Sequence, residues 1–446
     1  MKLAVVSLGC PKNQVDADRF CRALLEAGHT TVATIEEADV AIINTCGFIE
    51  SAKEEAIEHI LDACAMKTHN PDLRVVVTGC LAERYREELA REIPEVDAVV
   101  GIGSNGRLPA ILEELCARQA EAPPLECYAA KQGLPLEGPR IIGTPRHYAW
   151  LKIAEGCSNA CAYCAIPAIR GGYRSRPLQN VVEEARWLAA QGVKELVLVA
   201  QDVTAYGENL GQNLLVSLLR ELDKLEGVRW VRLLYAYPEK ITQQLLVAMA
   251  ESEKALPYID LPIQHCNEEI LRSMGRRGGR AAIEEALRLI RENLPGATLR
   301  TSLIAGYPGE SEPQFEELCA FVQQAGFDRL GCFAYSEEEG TRAARMKQLP
   351  IEERQRRADA VMRLQSGILA QKQQVQVGCT LQVLCDEYDP EEDVWLCRTA
   401  ADAPEIDTNV LVPGAQPLQE GEFFLVKVTD TDGADLYAIL PDSETS

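Results

Sequence analysis

The sequence has no uninterrupted apolar stretch of the roughly 18 residues that a membrane-spanning helix requires. Its opening, MKLAVVSLGC, is too short for a secretory signal, which needs a charged start followed by roughly 7–15 apolar residues. Cations are also scarce, because 45 Lys and Arg face 68 Asp and Glu, giving a formal charge of −23 at pH 7. This balance works against direct nucleic-acid binding and favours a basic partner. We therefore expect a protein of the reducing cytoplasm without membrane contact.

What the chain does contain is ordinary globular composition together with 16 cysteines. With 446 residues, of which 47% are apolar and 25% charged, two or three domains are expected. The cysteines are too widely spread for a small secreted scaffold stapled by disulfides. In a reducing compartment they are available as metal ligands or reactive thiols.

Short apolar runs alternate with amphipathic segments from Lys2 to about Gly103, a pattern typical of a parallel α/β sheet. Three cysteines occupy equivalent places, each just after one of the first three runs: Cys10, Cys46 and Cys80. Ligands of open α/β sheets bind beyond the carboxyl ends of the strands. We therefore expect the three thiols to converge on one edge of this sheet.

The complete fold prediction is α/β with a final all-β domain. Residues 1–118 form the N-terminal parallel α/β domain, and 119–142, rich in Gly and Pro, form a linker. Six βα repeats within 143–376 predict a partial or complete (β/α) barrel, whose site should lie at the carboxyl ends of its strands. The short β-like runs of 377–446 predict a small β-barrel.

The strongest local motif is AEGCSNACAYCAIP, in which Cys157, Cys161 and Cys164 form C-x3-C-x2-C directly after a predicted strand. Zinc prefers four ligands, and this loop supplies three. Besides a zinc site, the motif could simply be three buried free thiols without a metal, but so short a loop cannot bury all three without partners. Three thiolates can hold a [4Fe-4S] cluster and leave one iron open. Spacing and strand context together favour the cluster.

This motif resembles that of the radical SAM superfamily, in which the open iron binds S-adenosylmethionine (SAM). Tyr163 matches the aromatic position usual in that loop, although simple packing explains it equally well. Taken with this motif, SLGCPKN, NTCGFIESAKEE and TGCLAERY resemble the N-terminal domain of the methylthiotransferases, a radical SAM family with two clusters. The resemblance implies that Cys10, Cys46 and Cys80 hold the second [4Fe-4S] cluster.

The resemblance covers essentially the whole chain, including a C-terminal barrel similar to a TRAM domain. Several segments are similar to the family branch that modifies a ribosomal protein: SLGCPKN, IPAIRGGYRSRP, YIDLPIQH, MGRRGG and DAPEID. One segment, LRTSLIAGYPGE, departs modestly, with Ala305 and Tyr307 where Val and Phe are usual. The strand and its glycines are preserved.

The resemblance also implies the reaction. A flavodoxin or ferredoxin type of donor reduces the cluster of Cys157, Cys161 and Cys164, and SAM yields a 5′-deoxyadenosyl radical. This radical removes a hydrogen from the β-carbon of an aspartate in small-subunit ribosomal protein S twelve. A sulfur on the second cluster, methylated by another SAM, completes a 3-methylthioaspartate residue. Gln201, Asp202 and Gly306 occupy positions that usually contact SAM, and a monomer is expected.

Charge argues against the nearest alternative, methylthiolation of a tRNA adenosine, whereas a non-catalytic iron–sulfur carrier would differ by forming no 5′-deoxyadenosine. Residues 378–446 contain two cations, Arg398 and Lys427, against 16 Asp and Glu, a net charge of −14. Such a barrel repels a phosphate backbone and attracts a basic protein, unless its acidity serves solubility alone. Two arginine clusters oppose this trend: Arg170, Arg174 and Arg176, and Arg272, Arg276, Arg277 and Arg280. They are either solvated surface charge or, as we expect for some of them, contacts of the SAM carboxylate or a substrate aspartate.

Overall fold

A computed structural model describes residues 1–119 and 122–441 of the chain. Two compact units are present, and the first consists of Met1–Gly143, Ala154–Arg176 and Ser336–Ala344. Residues 120 and 121 of the predicted linker and 442–446 of the predicted barrel lie outside the described residues, and the predicted domain boundaries stay a prediction. No helix within the described ranges is long and apolar enough to cross a membrane.

The first unit contains a parallel six-stranded sheet with the order β2-β1-β3-β4-β5-β6. Its strands are β1 (Lys2–Ser7), β2 (Thr30–Thr31), β3 (Val40–Thr45), β4 (Arg74–Gly79), β5 (Ala98–Val100) and β6 (Leu125–Cys127). Its helices are α1 (Pro11–Glu26), α2 (Glu50–Ala65), α3 (Cys80–Arg84), α4 (Arg86–Glu92) and α5 (Leu108–Ala117). Apolar side chains pack on both faces of the sheet, as expected for strands covered by helices on either side.

The chain then enters a second sheet through β7 (Tyr148–Lys152) and returns to the first unit as a two-stranded antiparallel ladder. This ladder consists of β8 (Ala154–Glu155) and β9 (Arg174–Ser175), and α6 (Ile166–Arg170) lies between them. The cysteine loop of the C-x3-C-x2-C motif connects β8 to α6. Both cysteine triads therefore belong to the first unit.

The second unit contains an open parallel sheet with the order β14-β13-β12-β11-β10-β7. Its further strands are β10 (Glu195–Val199), β11 (Trp230–Leu233), β12 (Ala255–Asp260), β13 (Thr298–Ala305) and β14 (Arg329–Ala334). Its helices are α7 (Leu178–Ala190), α8 (Leu215–Asp223), α9 (Gln243–Glu251), α10 (Glu268–Ser273), α11 (Gly279–Asn293), α12 (Glu312–Ala325) and α13 (Ile351–Gln376). The six predicted βα repeats are confirmed, and the (β/α) barrel is the partial one.

The chain ends in a closed five-stranded barrel, which confirms the predicted small β-barrel. Its strands are β15 (Thr380–Asp389), β16 (Val394–Thr399), β17 (Val410–Pro413), β18 (Phe423–Thr431) and β19 (Leu436–Ile439). Alternate residues of these strands, Val383 and Cys385 among them, fill the interior. This alternation is what the period of a β-strand predicts.

A buried ion-pair network joins this barrel to the amino ends of the open sheet. Arg398 on β16 donates to Glu195, the first residue of β10, at 2.8 Å and to Asp386 on β15 at 2.9 Å. Glu195 also accepts from Arg232 on β11 at 2.7 Å, and His147 lies 2.8 Å from Asp386. The barrel thus docks on the end of the sheet opposite to the carboxyl ends of its strands.

The network predicts a pH dependence of stability. Burial alone raises the pKa of Glu195, but Arg398 and Arg232 outweigh it and lower this pKa below its ordinary value of 4.5. The carboxylate therefore contributes its full stability above about pH 4.5, and that stability is lost as the pH falls through the lower folded-state pKa. We expect the urea midpoint of unfolding to fall over this acidic range. In Glu195→Gln the free energy of unfolding at pH 7 should be lower by about 3–5 kcal/mol, and with it the urea midpoint. The midpoint of this variant should also depend less on pH.

The matched control is Glu285→Gln, which removes the carboxylate of an exposed ion pair with Arg288. Its urea midpoint should equal that of the wild type at pH 7. A Glu195→Gln variant with the full acid sensitivity of the wild type would show that the network does not carry the effect.

Candidate functional site: two cysteine triads

The first cysteine triad lies at one edge of the six-stranded sheet. Cys10 follows β1 and precedes α1, Cys46 follows β3, and Cys80 is the first residue of α3 after β4. Since β1, β3 and β4 are adjacent and parallel, their carboxyl ends reach the same edge. The structure thus brings the three predicted residues to one place.

Two glycines pack the three loops tightly together. Gly9, which precedes Cys10, has a φ of +90°, and a Cβ atom there would lie 2.6 Å from Cβ of Cys46. Gly79, which precedes Cys80, has a φ of +96°, and its Cβ would lie 2.4 Å from the carbonyl oxygen of the residue before Cys46. Positive φ disfavours every residue that carries a Cβ. Glycine is therefore required at both positions for the loops to touch.

Replacing Gly79 with alanine should separate the loops of this triad. We expect a loss of about 1–2 kcal/mol from the positive φ alone, and a further loss from the close contact with the neighbouring backbone. The iron content after anaerobic reconstitution should fall from about eight toward about four per chain, because one of two four-iron clusters is lost. Iron analysis and urea denaturation measure the two effects.

Gly28→Ala is the matched control for this substitution. Its φ is +88°, but no atom lies within 4 Å of the position of a Cβ atom. Only the cost of the backbone conformation applies there, so the iron content should stay unchanged. Equal iron content in the Gly28 and Gly79 variants would contradict the packing argument.

A buried guanidinium group lies beside the first triad. Arg170, the last residue of α6, is 1% exposed. Its Nε lies 3.4 Å from Sγ of Cys80, and its Nη1 donates to carboxylate oxygens of Asp16 and Glu155 at 2.9 Å each. Its Nη2 donates to Oδ1 of Asn13 at 3.2 Å. A fixed positive charge, itself held by two carboxylates, therefore accompanies the sulfur atoms.

The three thiols of this triad have different electrostatic surroundings. Burial raises the pKa of Cys46 to about 12, and the neighbouring Cys80 and Cys10 add to this rise. Burial also raises the pKa of Cys80, while Arg170 opposes it. At Cys10 burial acts in the same direction, but the charges of Lys12 and Arg170 outweigh it and lower the pKa. The thiols therefore lie within electrostatic reach of one another and of Arg170.

The second triad lies in the loop between β8 and α6. Cys157 is buried, and Cys161 and Cys164 are half-buried. The N–H of Cys157 donates to the carbonyl of Gly171 at 3.1 Å, and the N–H of Cys164 donates to the carbonyl of Cys161 at 3.3 Å. The first bond ties the start of the loop to the residue after α6, and the second closes a turn between two of its cysteines.

Both triads fit the ligand chemistry of a four-iron cluster. All 16 cysteines are free thiols, and three thiolates on a four-iron cluster leave one iron open. Within residues 1–119 and 122–441, no group of three or more His, Cys, Asp or Glu side chains is arranged to hold a single metal ion. The thiolates of a cluster bind different irons, so they need not converge on one point.

The residues expected to contact SAM lie in the second unit. Gln201 and Asp202 follow β10, and Gly306 follows β13, so all three lie at carboxyl ends of strands. Asp202 is buried and accepts a hydrogen bond from Oγ1 of Thr204 at 2.6 Å. The N–H of Gly306 donates to Glu310 at 2.9 Å. These contacts give Asp202 and Gly306 structural roles, and their contact with SAM stays a prediction.

Most arginines of the two predicted clusters contact groups of the protein itself. The partners are Glu137 for Arg176, backbone carbonyls for Arg174 and Arg276, and nearby glutamates for Arg272 and Arg280. Arg277 is exposed. The expected contacts with the SAM carboxylate or a substrate aspartate receive no support from these partners, because ion pairs and hydrogen bonds within the fold already satisfy most of these side chains.

Sequence analysis missed two parts of the site. It grouped Arg170 with the other arginines and did not connect it to Cys80. It also overlooked the glycine beside each cysteine of the first triad: Gly9 before Cys10, Gly47 after Cys46 and Gly79 before Cys80. A glycine next to a cysteine at three successive strand ends is a signal of close packing that was present in the sequence.

Comparison with known proteins follows the same three-part division. Residues 2–101 match the uncharacterized protein family UPF0004, 151–322 match the radical SAM superfamily, and 377–440 match the TRAM domain. Two curated relatives carry the name ribosomal protein uS12 methylthiotransferase RimO. That of Acetivibrio thermocellus is 44% identical over 98% of this chain and 97% of its own length. That of Clostridioides difficile is 44% identical over 98% of both chains.

The chain belongs to the RimO family. Identity at this level over nearly the whole length confirms the recognition made from the cysteine motifs, at the level of the ribosomal-protein branch. RimO relatives also match this chain through its C-terminal barrel, so the family assignment does not depend on the radical SAM region alone.

Solved structures show the fold that the RimO family shares with more distant radical SAM enzymes. The methyltransferase TsrM from Kitasatospora setae, with a tryptophan substrate and a SAM analogue bound, has a TM-score of 0.54 at 17% identity over 75% of this chain and 74% of that chain. The cobalamin-dependent enzyme OxsB has a TM-score of 0.53 at 13% identity over 81% of this chain and 56% of that chain. The predicted fold class is confirmed.

Proposed function

We propose that this chain inserts a methylthio group at the β-carbon of an aspartate of ribosomal protein uS12 and thereby forms 3-methylthioaspartate. One observation carries the proposal: two separate triads of free cysteines lie in one compact unit, one at a sheet edge and one in the loop after β8. Sulfur insertion needs two centres, one for radical formation and one for the sulfur. Its RimO relatives are named as uS12 methylthiotransferases.

Each group of residues has a distinct task in this proposal. Cys157, Cys161 and Cys164 hold the cluster that binds SAM, and the triad at the sheet edge holds the second cluster. When bound, the clusters and SAM supply the radical chemistry that an unactivated C–H bond requires, since no side-chain base removes such a proton. Arg170 balances the negative charge that thiolate ligands bring into a buried place. Gln201, Asp202 and Gly306 are proposed to contact SAM.

The acidic barrel supports a basic protein as substrate. Part of its charge is used internally, as in the pair of Asp386 with Arg398. The remainder includes four exposed carboxylates near the end of β15 and in the turn to β16: Glu387, Glu391, Glu392 and Asp393. A surface of this kind orients a basic partner and raises its association rate, whereas it repels the backbone of tRNA.

Reconstituted enzyme incubated with SAM and a reductant, and with either uS12 or tRNA, tests the proposal. Mass spectrometry should find the methylthio group on an aspartate of uS12 and none on tRNA. Methylthiolated tRNA with unmodified uS12 would replace the proposal by its nearest alternative. Bound clusters without any 5′-deoxyadenosine would instead indicate a non-catalytic iron–sulfur carrier.

We further propose that the enzyme works in the cytoplasm as a monomer and receives electrons from a flavodoxin or ferredoxin type of protein. Reduced thiols in both triads require such a compartment. Reduction of the reconstituted enzyme by purified flavodoxin and by ferredoxin, followed by deoxyadenosine formation, identifies the donor. Light scattering measures the oligomeric state.

A further inference from the structure

A short segment of the first unit contacts both cysteine sites. The segment, Ser336–Ala344, follows β14 along the chain and lies within the same compact unit as the two triads. We call it the strap. It contains three consecutive glutamates, of which only the middle one, Glu338, is buried.

Glu338 anchors the first half of the strap beside the first triad. Its side chain is almost fully buried, and Oε2 accepts a hydrogen bond from Nη1 of Arg84 at 2.6 Å and lies 3.3 Å from Nζ of Lys53. Its Oε1 accepts from Oγ of Ser336 at 2.6 Å. Arg84 is the last residue of α3, the short helix that begins at Cys80. The strap is thereby tied to the helix that carries one cysteine of the triad.

The same arginine connects Glu338 to a second cysteine loop. Nη1 of Arg84 also donates to the carbonyl of Gly47, the residue after Cys46, at 3.0 Å. Its Nη2 donates to the carbonyl of Glu339 in the strap at 3.0 Å. A buried carboxylate with two cationic partners has few alternative arrangements, because moving away leaves a charge without its counter-ion. Glu338 therefore fixes the strap against the loops of Cys46 and Cys80.

The second half of the strap is bonded to the loop of the other triad. The N–H of Ala343 donates to the carbonyl of Ala162 at 2.9 Å, and Nη2 of Arg342 donates to the carbonyl of Ala160 at 2.6 Å. Ala160 and Ala162 flank Cys161 in the sequence. A turn joins the two halves of the strap, because Oγ1 of Thr341 donates to the carbonyl of Glu338 at 2.7 Å.

We propose that the strap sets the separation of the two cysteine sites, and that Glu338 is the positioning residue that holds it. The inference rests on the proposed function, in which radical formation at one site must be followed by sulfur transfer at the other. Reactions between two held groups are sensitive to small displacements. A loosened strap should therefore leave radical formation intact and lower the fraction of events that end in a methylthiolated product.

The test compares two products of the same reaction in the reconstituted enzyme. In Glu338→Gln the ratio of 5′-deoxyadenosine to methylthiolated uS12 should rise several-fold, up to the roughly 100-fold that a displacement of about 1 Å can cause. A role in stability alone lowers both products in proportion and leaves the ratio unchanged, and that result would overturn the inference. Glu337→Gln, which alters an exposed neighbour, should retain the wild-type ratio.

A second variant keeps the inference testable where Glu338→Gln does not fold. Arg342→Gln breaks the bond to Ala160 at the other end of the strap without removing a buried charge. Its ratio should also rise, and an unchanged ratio in this folded variant would refute the inference. Glu338→Asp should restore part of the wild-type coupling.

Hydrogen exchange followed by mass spectrometry gives a readout independent of activity. In reconstituted Glu338→Gln enzyme, amides of the strap and of residues 157–164 should exchange faster than in the wild type, while those of β12 should not change. Unchanged exchange in 157–164 would overturn the inference. A different result is that the wild-type enzyme makes no methylthiolated uS12 while Glu338→Gln still exchanges faster than the wild type in both segments. This result would refute the proposed function and leave the strap's mechanical role in place.

Discussion

Replacement of Cys157 by alanine should reduce 5′-deoxyadenosine formation to background, whereas replacement of Cys46 should leave it intact and abolish methylthiolation of uS12. The two cysteines belong to triads in separate places, one in the loop after β8 and one at the edge of the six-stranded sheet. A cluster that loses one of three ligands is lost with its function. Chromatography of the nucleoside products and mass spectrometry of uS12 measure the two activities.

Iron analysis provides the control for this experiment. Wild-type enzyme should contain about eight irons, and each variant about four, since each loses one four-iron cluster. Cys116→Ala, which changes an exposed cysteine near the end of α5, should retain all eight irons and both activities. If the Cys157 and Cys46 variants behaved alike, the division of labour between the triads would be wrong.

Local patterns were sufficient to predict most elements of the fold. Helix α12 has recognisable signals at both of its ends: Ser311 and Gln314 form a capping box, and Gly326 adopts a left-handed conformation at the other end. Strand β13 alternates buried and half-buried residues as a strand should.

Short edge elements could not be predicted from such patterns. Strands β2 and β6 contain two and three residues, and each forms only because a neighbouring strand offers backbone partners. Neither has an apolar run of its own. Strand β19 does have an apolar run, LYAI, which sequence analysis overlooked, and it pairs with two strands of the barrel.

The places of the six cysteines that are predicted as ligands could be read from the sequence, because each follows the local end of one strand. Arg170 and the strap could not be found in this way. The bond of Arg170 to Cys80 joins residues that are 90 positions apart, and that of Arg84 to Glu338 joins residues 254 positions apart. Such contacts are created by the tertiary fold, and a single sequence carries no periodic or spacing signal for them.

Replacement of Arg170 by glutamine should be the most damaging change to the site outside the cysteines. The side chain is fully buried and is the common partner of Asp16 and Glu155. Without it, two buried carboxylates lose their cation, and breaking a buried pair in this way costs about 3–5 kcal/mol. We expect this decrease in unfolding free energy from urea denaturation of the variant.

The first triad should be affected beyond the loss of stability. Nε of Arg170 lies 3.4 Å from Sγ of Cys80, and its charge opposes the effect of burial on the pKa of that thiol, so its removal disfavours the thiolates that a cluster needs. In Arg170→Gln the iron content should fall toward about four while 5′-deoxyadenosine formation persists.

Arg174→Gln, in the same motif, is the matched control. It removes only bonds to backbone carbonyls, so its free energy of unfolding should fall by at most about 1–3 kcal/mol and its iron content should stay unchanged. Arg170→Lys keeps the charge but cannot hold four partners with one planar group, and its stability and iron content should therefore lie between those of the wild type and Arg170→Gln. If Arg170→Gln retained eight irons and wild-type stability, the carboxylates and the thiols at this edge would need no cation.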